Sequence, residues 1–188
     1  MCSLGGELLR LFIAALLPEE IRIRLGDYIK AVRHLCEGVR WENVDKLHVT
    51  LKFLGSVENA KAPEIGSIIG GLSRLYTPFE TAFSGAGGFP DLKHPRVIYV
   101  GLSANPGLSS LQASIEEALE PLGFEREGRP FIPHVTIGRV KSKLRIREPL
   151  PDPEPYEFAI DEIGLIKSET RRDGSIYTPL HIFRLNRK

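Results

Sequence analysis

The tetrapeptides His48–Leu51 (HVTL) and His134–Ile137 (HVTI) lie 86 residues apart (134 minus 48), and the same offset relates Arg10–Leu16 (RLFIAAL) to Arg96–Leu102 (RVIYVGL) without a gap. An internal repeat on this scale restricts the fold to two units of like layout, because each half carries the same apolar pattern and must bury it in the same way. Between its anchors each half has a stretch of helical periodicity. Pro18 and Glu19 open the first, with Ile21, Leu25, Ile29, Val32 and Leu35 on one face; Pro106 opens the second, with Leu108, Leu111, Ile115, Ala118, Leu119 and Leu122. Both halves therefore read strand, helix, strand.

The remaining segments extend that plan. Residues 58–75 read as a helix, and Phe79–Phe83 as a strand ending in a Gly85–Pro90 loop. Tyr156–Lys167 and Ile176–Leu185 read as two strands, with Arg-Arg-Asp-Gly-Ser between them as hairpin chemistry, and Pro149–Pro155 as a stiff connector. The expected architecture is α+β. One domain spans 1–188, built of two pseudo-symmetric lobes, each a mainly antiparallel sheet with helices on its outer side, with motif strands near 46–54 and 132–140 and an active-site cleft between the lobes.

Composition narrows the function classes. A formal charge of +1 excludes general nucleic-acid coating, which draws its affinity from many Lys and Arg contacts to phosphate. Two cysteines, Cys2 and Cys36, build neither a disulfide framework nor a thiolate zinc site, so a reducing cytoplasm is expected. The apolar run Leu8–Leu17 contains Arg10 and is too short to span a bilayer; it is expected to be a buried strand, with no membrane association.

In an extended strand, residues i and i+2 face the same side. His48 and Thr50 thus emerge together while Val49, Leu51 and Phe53 face the core, and His134 and Thr136 repeat the arrangement opposite Val135 and Ile137. Two imidazoles and two hydroxyls suit phosphoryl transfer without a metal. One histidine, neutral, removes a proton from the attacking oxygen; the other, protonated, gives one to the leaving oxygen; the threonines hydrogen-bond the non-bridging phosphate oxygens. His34, His94 and His181 lie in no motif with ligand spacing, so neither a metal nor another cofactor is expected.

These residues resemble the two-histidine phosphoesterases, and within them the RNA 2',3'-cyclic phosphodiesterases, also called 2'-5' RNA ligases. The likeness runs from RLFIAALLP through HVTLKFLG, GGFP with RVIYVG, and FIPHVTIGR to LIKSE and Tyr177. It implies hydrolysis of terminal 2',3'-cyclic phosphates to 2'-phosphates on RNA such as tRNA fragments, by a protein expected to be a monomer. Alternatives are 2'-5' ligation of tRNA halves as the main activity, or a non-catalytic RNA-end binding module. The resemblance makes His48 the proton donor and His134 the acceptor, and assigns phosphate binding to Arg139. Phe12 is similar in position to an aromatic near the substrate base; a core strand residue is the other reading of it.

Strand parity alone would point Arg139 away from His134. Beyond it, however, the apolar residues Val140, Leu144 and Ile146 are even-numbered and the basic ones odd, so the pattern changes phase near Gly138. A bulge there would return Arg139 to the side of His134, and Lys141, Lys143, Arg145 and Arg147 would then line the cleft entrance or form a solvated face.

Overall fold

The structure, a computed structural model, describes residues 7–92, 94–146, 150–171 and 174–186, without the side chains of 142–146. Its elements are β1 (Leu8–Leu16), α1 (Glu19–Val32), β2 (Cys36–Trp41), β3 (His48–Glu58), α2 (Ala62–Ser73), β4 (Phe79–Phe89), β5 (Val97–Leu102), α3 (Pro106–Leu119), β6 (His134–Ile146), β7 (Glu157–Ile160), β8 (Glu162–Arg171) and β9 (Gly174–Arg184). The strands form one antiparallel sheet in the order β7-β4-β5-β6-β3-β1-β8-β9, with β2 added against β6. Outward from the β6–β3 seam, each half has four strands, and β5 and β6 stand where β1 and β3 stand in the other half, as the repeat requires. The fold is thus α+β with two similar lobes, joined through the sheet at Val49↔Val135.

All three helices share one core with the sheet. Ile21, Leu25 and Ile29 of α1, Ile65 and Ile69 of α2, and Leu108, Leu111, Ile115 and Leu119 of α3 pack with Leu11, Ile13, Val49, Leu51, Val135 and Ile137. Burying an aliphatic side chain of this size contributes about 1.5–3 kcal/mol, so this cluster dominates stability. The helices begin where local chemistry favours it. Asn105 accepts the Leu108 N–H at 3.1 Å ahead of Pro106, and Glu19 and Glu20 place negative charge in the first turn of α1. On the opposite face of the sheet, Phe12, Ala14 and Ile166 form a small separate cluster.

Several expectations need correction. Phe53 does not face the core but is 71% exposed. Between Ala14↔Thr50 and Ile13↔Lys52 the residue Leu51 has no partner on β1, so Leu51 and Lys52 both turn to the helix side and Phe53 emerges on the other. The strand at Phe79 continues to Phe89, because Gly85–Phe89 pairs with Gly101–Val97 instead of forming a loop. What reads as one strand from Tyr156 divides at Asp161: β7 pairs with β4 in one half and β8 with β1 in the other. Strand β2 was not expected, since Gly38, at φ 82°, interrupts its alternation.

Candidate active site

The register of β3 and β6 assembles the motif residues. Continuing the Val49↔Val135 pairing one residue each way sets His48 against Thr136 and Thr50 against His134. Facing positions on antiparallel strands lie about 4.5–5.5 Å apart at Cβ, so four side chains from two distant segments form a square on the face opposite the core. All four are half-buried, while Val49 and Val135 between them are fully buried.

Each imidazole is oriented in the same way. His48 Nδ1 donates to the Lys46 carbonyl at 2.6 Å, and His134 Nδ1 to the Ile132 carbonyl at 2.7 Å. A carbonyl oxygen only accepts, so Nδ1 carries the hydrogen in both rings and Nε2 is left as the proton-exchanging atom. Thr50 Oγ1 lies 3.2 Å from His48 Nε2. Rings back both histidines: Phe12 and Tyr177 have centroids 4.9 and 5.5 Å from His48, and Phe89 and Tyr99 stand at 4.9 and 5.3 Å from His134. These contacts fix the imidazole planes by packing on one side and hydrogen bonding on the other.

The electrostatics are less symmetric than the scaffold. Burial pushes the His48 pKa below its ordinary value; the Lys46 carbonyl and the Glu42 carboxylate act to raise it, and the charges of Arg139 and His134 to lower it. His134 is also pushed down by burial, with only the Ile132 carbonyl acting upward. Glu42 accepts from Arg139 Nε at 2.9 Å and is itself mostly buried. Arg139 reaches this position because Ile137 is left unpaired between Thr136↔Tyr99 and Gly138↔Ile98. The phase change therefore lies at Ile137, one residue before Gly138. Gly138 has a different reason to be glycine: a Cβ there would meet Val39 Cγ1 of β2 at 2.7 Å.

Phe12 is 3% exposed, packed as the core-strand reading has it, and its ring stands against His48 and forms part of the wall of the cavity beside that histidine. Lys141 is exposed, and the side chains of Lys143, Arg145 and Arg147 lie outside the described residues. Sequence reasoning missed Glu42 and gave no part to Tyr177, Phe89 or Tyr99. Glu42 follows the unexpected β2, so only the strand's pairing with β6 brings it to Arg139. Among the described residues no three His, Cys, Asp or Glu side chains are grouped to hold a metal, and no helix is long and apolar enough to cross a membrane.

A cavity of about 310 Å³ opens beside His48, lined among others by Phe12, Arg22, Tyr177, Pro179 and Ile182. Of the four motif residues only His48 is part of its wall.

A sequence profile described as the 2'-5' RNA ligase superfamily matches residues 18–172. The RNA 2',3'-cyclic phosphodiesterase of Methanothermobacter thermautotrophicus is 33% identical over 182 residues, covering 94% of this chain and 98% of that protein. The protein of the same description from Methanocaldococcus jannaschii is 34% identical, covering 90% of this chain and 96% of the relative. Among solved structures, E. coli LigT complexed with 3'-AMP superposes with a TM-score of 0.82 at 31% identity, covering 96% of this chain and all of that one. A Thermus thermophilus structure gives a TM-score of 0.79 at 30% identity, covering 94% and 98%.

Proposed function

The chain belongs to the 2'-5' RNA ligase superfamily, and on that premise we propose that it hydrolyses the 2',3'-cyclic phosphate at RNA ends to a 2'-phosphate without a metal ion. The observation that carries this reading is the pair of imidazoles whose Nδ1 hydrogens are both committed to backbone carbonyls, leaving two Nε2 atoms for one phosphate. His134 takes a proton from water as its oxygen attacks phosphorus. His48 gives its own proton to O3' as the P–O3' bond breaks, so the proton count is unchanged over the cycle. Thr50 and Thr136 donate to the non-bridging oxygens, where charge builds. Arg139, held at Nε by Glu42, keeps its terminal nitrogens for the same phosphate.

Glu42 acts to raise the His48 pKa against the lowering by burial, Arg139 and His134, while both rings are lowered overall, so the assignment of His48 as donor follows the family resemblance. One chain supplies every group, so a monomer suffices, and the partners are RNAs with cyclic-phosphate ends, tRNA fragments among them. The test is an oligoribonucleotide ending in a 2',3'-cyclic phosphate, incubated in excess EDTA and followed by phosphorus NMR. Conversion to the 2'-phosphate is expected. Activity lost on chelation and restored by a divalent ion would overturn the mechanism.

A further inference from the structure

The duplicated motifs occupy one stretch of β6, and β2 extends the same face further. Strand β3 meets β6 at Val49↔Val135, and β2 meets it from Trp41↔Gly138 onwards along the same edge, opposite β5. A Cβ on Gly138 would stand 2.7 Å from Val39 Cγ1 and 3.2 Å from the Trp41 ring, and both of those side chains pack against the core. By strand alternation the next pair, Arg40↔Arg139, therefore faces the other way, onto the side of the histidines. Beyond the square of histidines and threonines the sheet carries a further rung, made of two arginines.

Like charges set directly opposite one another destabilise a strand pair. Arg139 is relieved of this by Glu42, which accepts its Nε hydrogen at 2.9 Å. Arg40 is half-buried and, among the described residues, makes no hydrogen bond or ion pair. Its guanidinium rests near the tip of the β8–β9 hairpin, 3.7–3.9 Å from where a Cβ on Gly174 would stand. The hairpin belongs to one half of the molecule and β2 to the other, so this cation stands between the halves at one end of the catalytic face. A half-buried cation opposed by another and left without a counter-charge is suited to take up an anion.

In the hydrolysis proposed above His48 gives its proton to O3', so the terminal nucleoside lies on the His48 side of phosphorus, along the edge that β3 and β2 share. Arg139 is near enough for its charge to act on His48, whereas the Arg40 guanidinium is directed to the hairpin tip. Gly174 at that tip is three residues (177 minus 174) from Tyr177, whose ring stands against His48, which is about 10 Å along an extended strand. That separation is the scale of one nucleotide rather than of one phosphate group. We propose that Arg40 binds a second phosphate, the one on the 5' oxygen of the nucleotide that carries the cyclic phosphate, a reading that rests on the hydrolase assignment above. Such a group is either a terminal monoester or the diester to the preceding nucleotide, and both present non-bridging oxygens to the planar fork of a guanidinium. Arg139, held by Glu42, serves the reacting phosphate, and Arg40 the neighbouring one.

The experiment compares kcat/KM on three substrates that share one terminal nucleoside 2',3'-cyclic phosphate: with a 5'-hydroxyl, with a 5'-phosphate, and joined at the 5' oxygen to one further nucleotide. Ratios are read within each variant, so that any general loss of activity cancels. Wild type should prefer a 5'-phosphorylated substrate over the 5'-hydroxyl by about tenfold, the effect of one charge-assisted contact. Arg40→Ala should bring that ratio near one, mainly through KM, and Arg40→Lys, which keeps the charge without the fork, should retain part of it. Added salt should narrow the ratio in wild type and leave it unchanged in Arg40→Ala, with thermal melts confirming that the variants are folded. A preference confined to the 5'-phosphate substrate, and lost in Arg40→Ala, assigns the seat to a monoester; one confined to the dinucleotide, and lost in the same variant, assigns it to the RNA chain. A wild-type ratio near one, or a ratio in Arg40→Ala equal to that of wild type, would overturn the site while leaving the hydrolase intact. Absence of turnover of all three substrates by wild type would remove the hydrolase reading, and the site with it.

Discussion

Burial lowers the pKa of both His48 and His134 from the ordinary 6.5, which under the proposed mechanism sets the pH optimum. The reaction needs one ring protonated and one neutral, and kcat/KM reports the free enzyme, so its bell-shaped profile should peak below about 6.5 and fall as the acid loses its proton at higher pH. Glu42→Gln removes an influence that raises the His48 pKa, so the optimum should move further down. An optimum above 7, or one that rises in Glu42→Gln, would contradict this charge arrangement. Either histidine changed to Ala should cost on the order of 10² to 10⁴ in rate, and the double variant less than the product of the two, because the pair serves one transition state. That the histidines and threonines of the two motifs share one face was legible in the sequence, because a duplicated motif on paired strands sets its register. Glu42 was not, since it has no counterpart in the other half and lies 97 positions from Arg139.

Strand irregularities matter as much as the strands. Leu51, without a partner on β1, and Ile137, without one on β5, occupy equivalent places in the repeat, and each changes which residues share a face with the histidines. The phase change in β6 was legible in the odd-numbered basic residues after Gly138. That in β3 was not, because Lys52 is buried and polar while Phe53 is exposed and apolar, which inverts the usual reading of an alternating strand. Lys52 is kept on the helix side by Glu116 of α3 and by the Glu125 carbonyl, and Glu116 also accepts the Glu127 N–H. This buried pair ties the first motif strand to the segment leading into the second. Lys52→Met should destabilise the fold by about 3–5 kcal/mol in denaturant titrations, because it leaves a carboxylate buried without its cation; Lys52→Met with Glu116→Leu should recover much of the loss. A double variant as unstable as the sum of the singles would show that the pair is not coupled.

At the scale of the molecule, the repeat revealed that the halves are equivalent but not which strands each half contains. One half takes β1 and β3 from early in the chain and β8 and β9 from its last part; β4 to β7, with the early strand β2 added against β6, build the other. A sequence repeat marks corresponding segments, whereas partner choice depends on long-range pairing that local patterns do not encode. The exchange has a consequence for when the protein becomes competent. During synthesis, β1 waits with an open edge until β8 pairs with it, and Tyr177, which stands against both Phe12 and His48, arrives with β9. The first histidine motif to leave the ribosome is therefore among the last parts of the site to be secured, and a nascent chain stalled before β8 would carry His48 without the Tyr177 ring that packs against it.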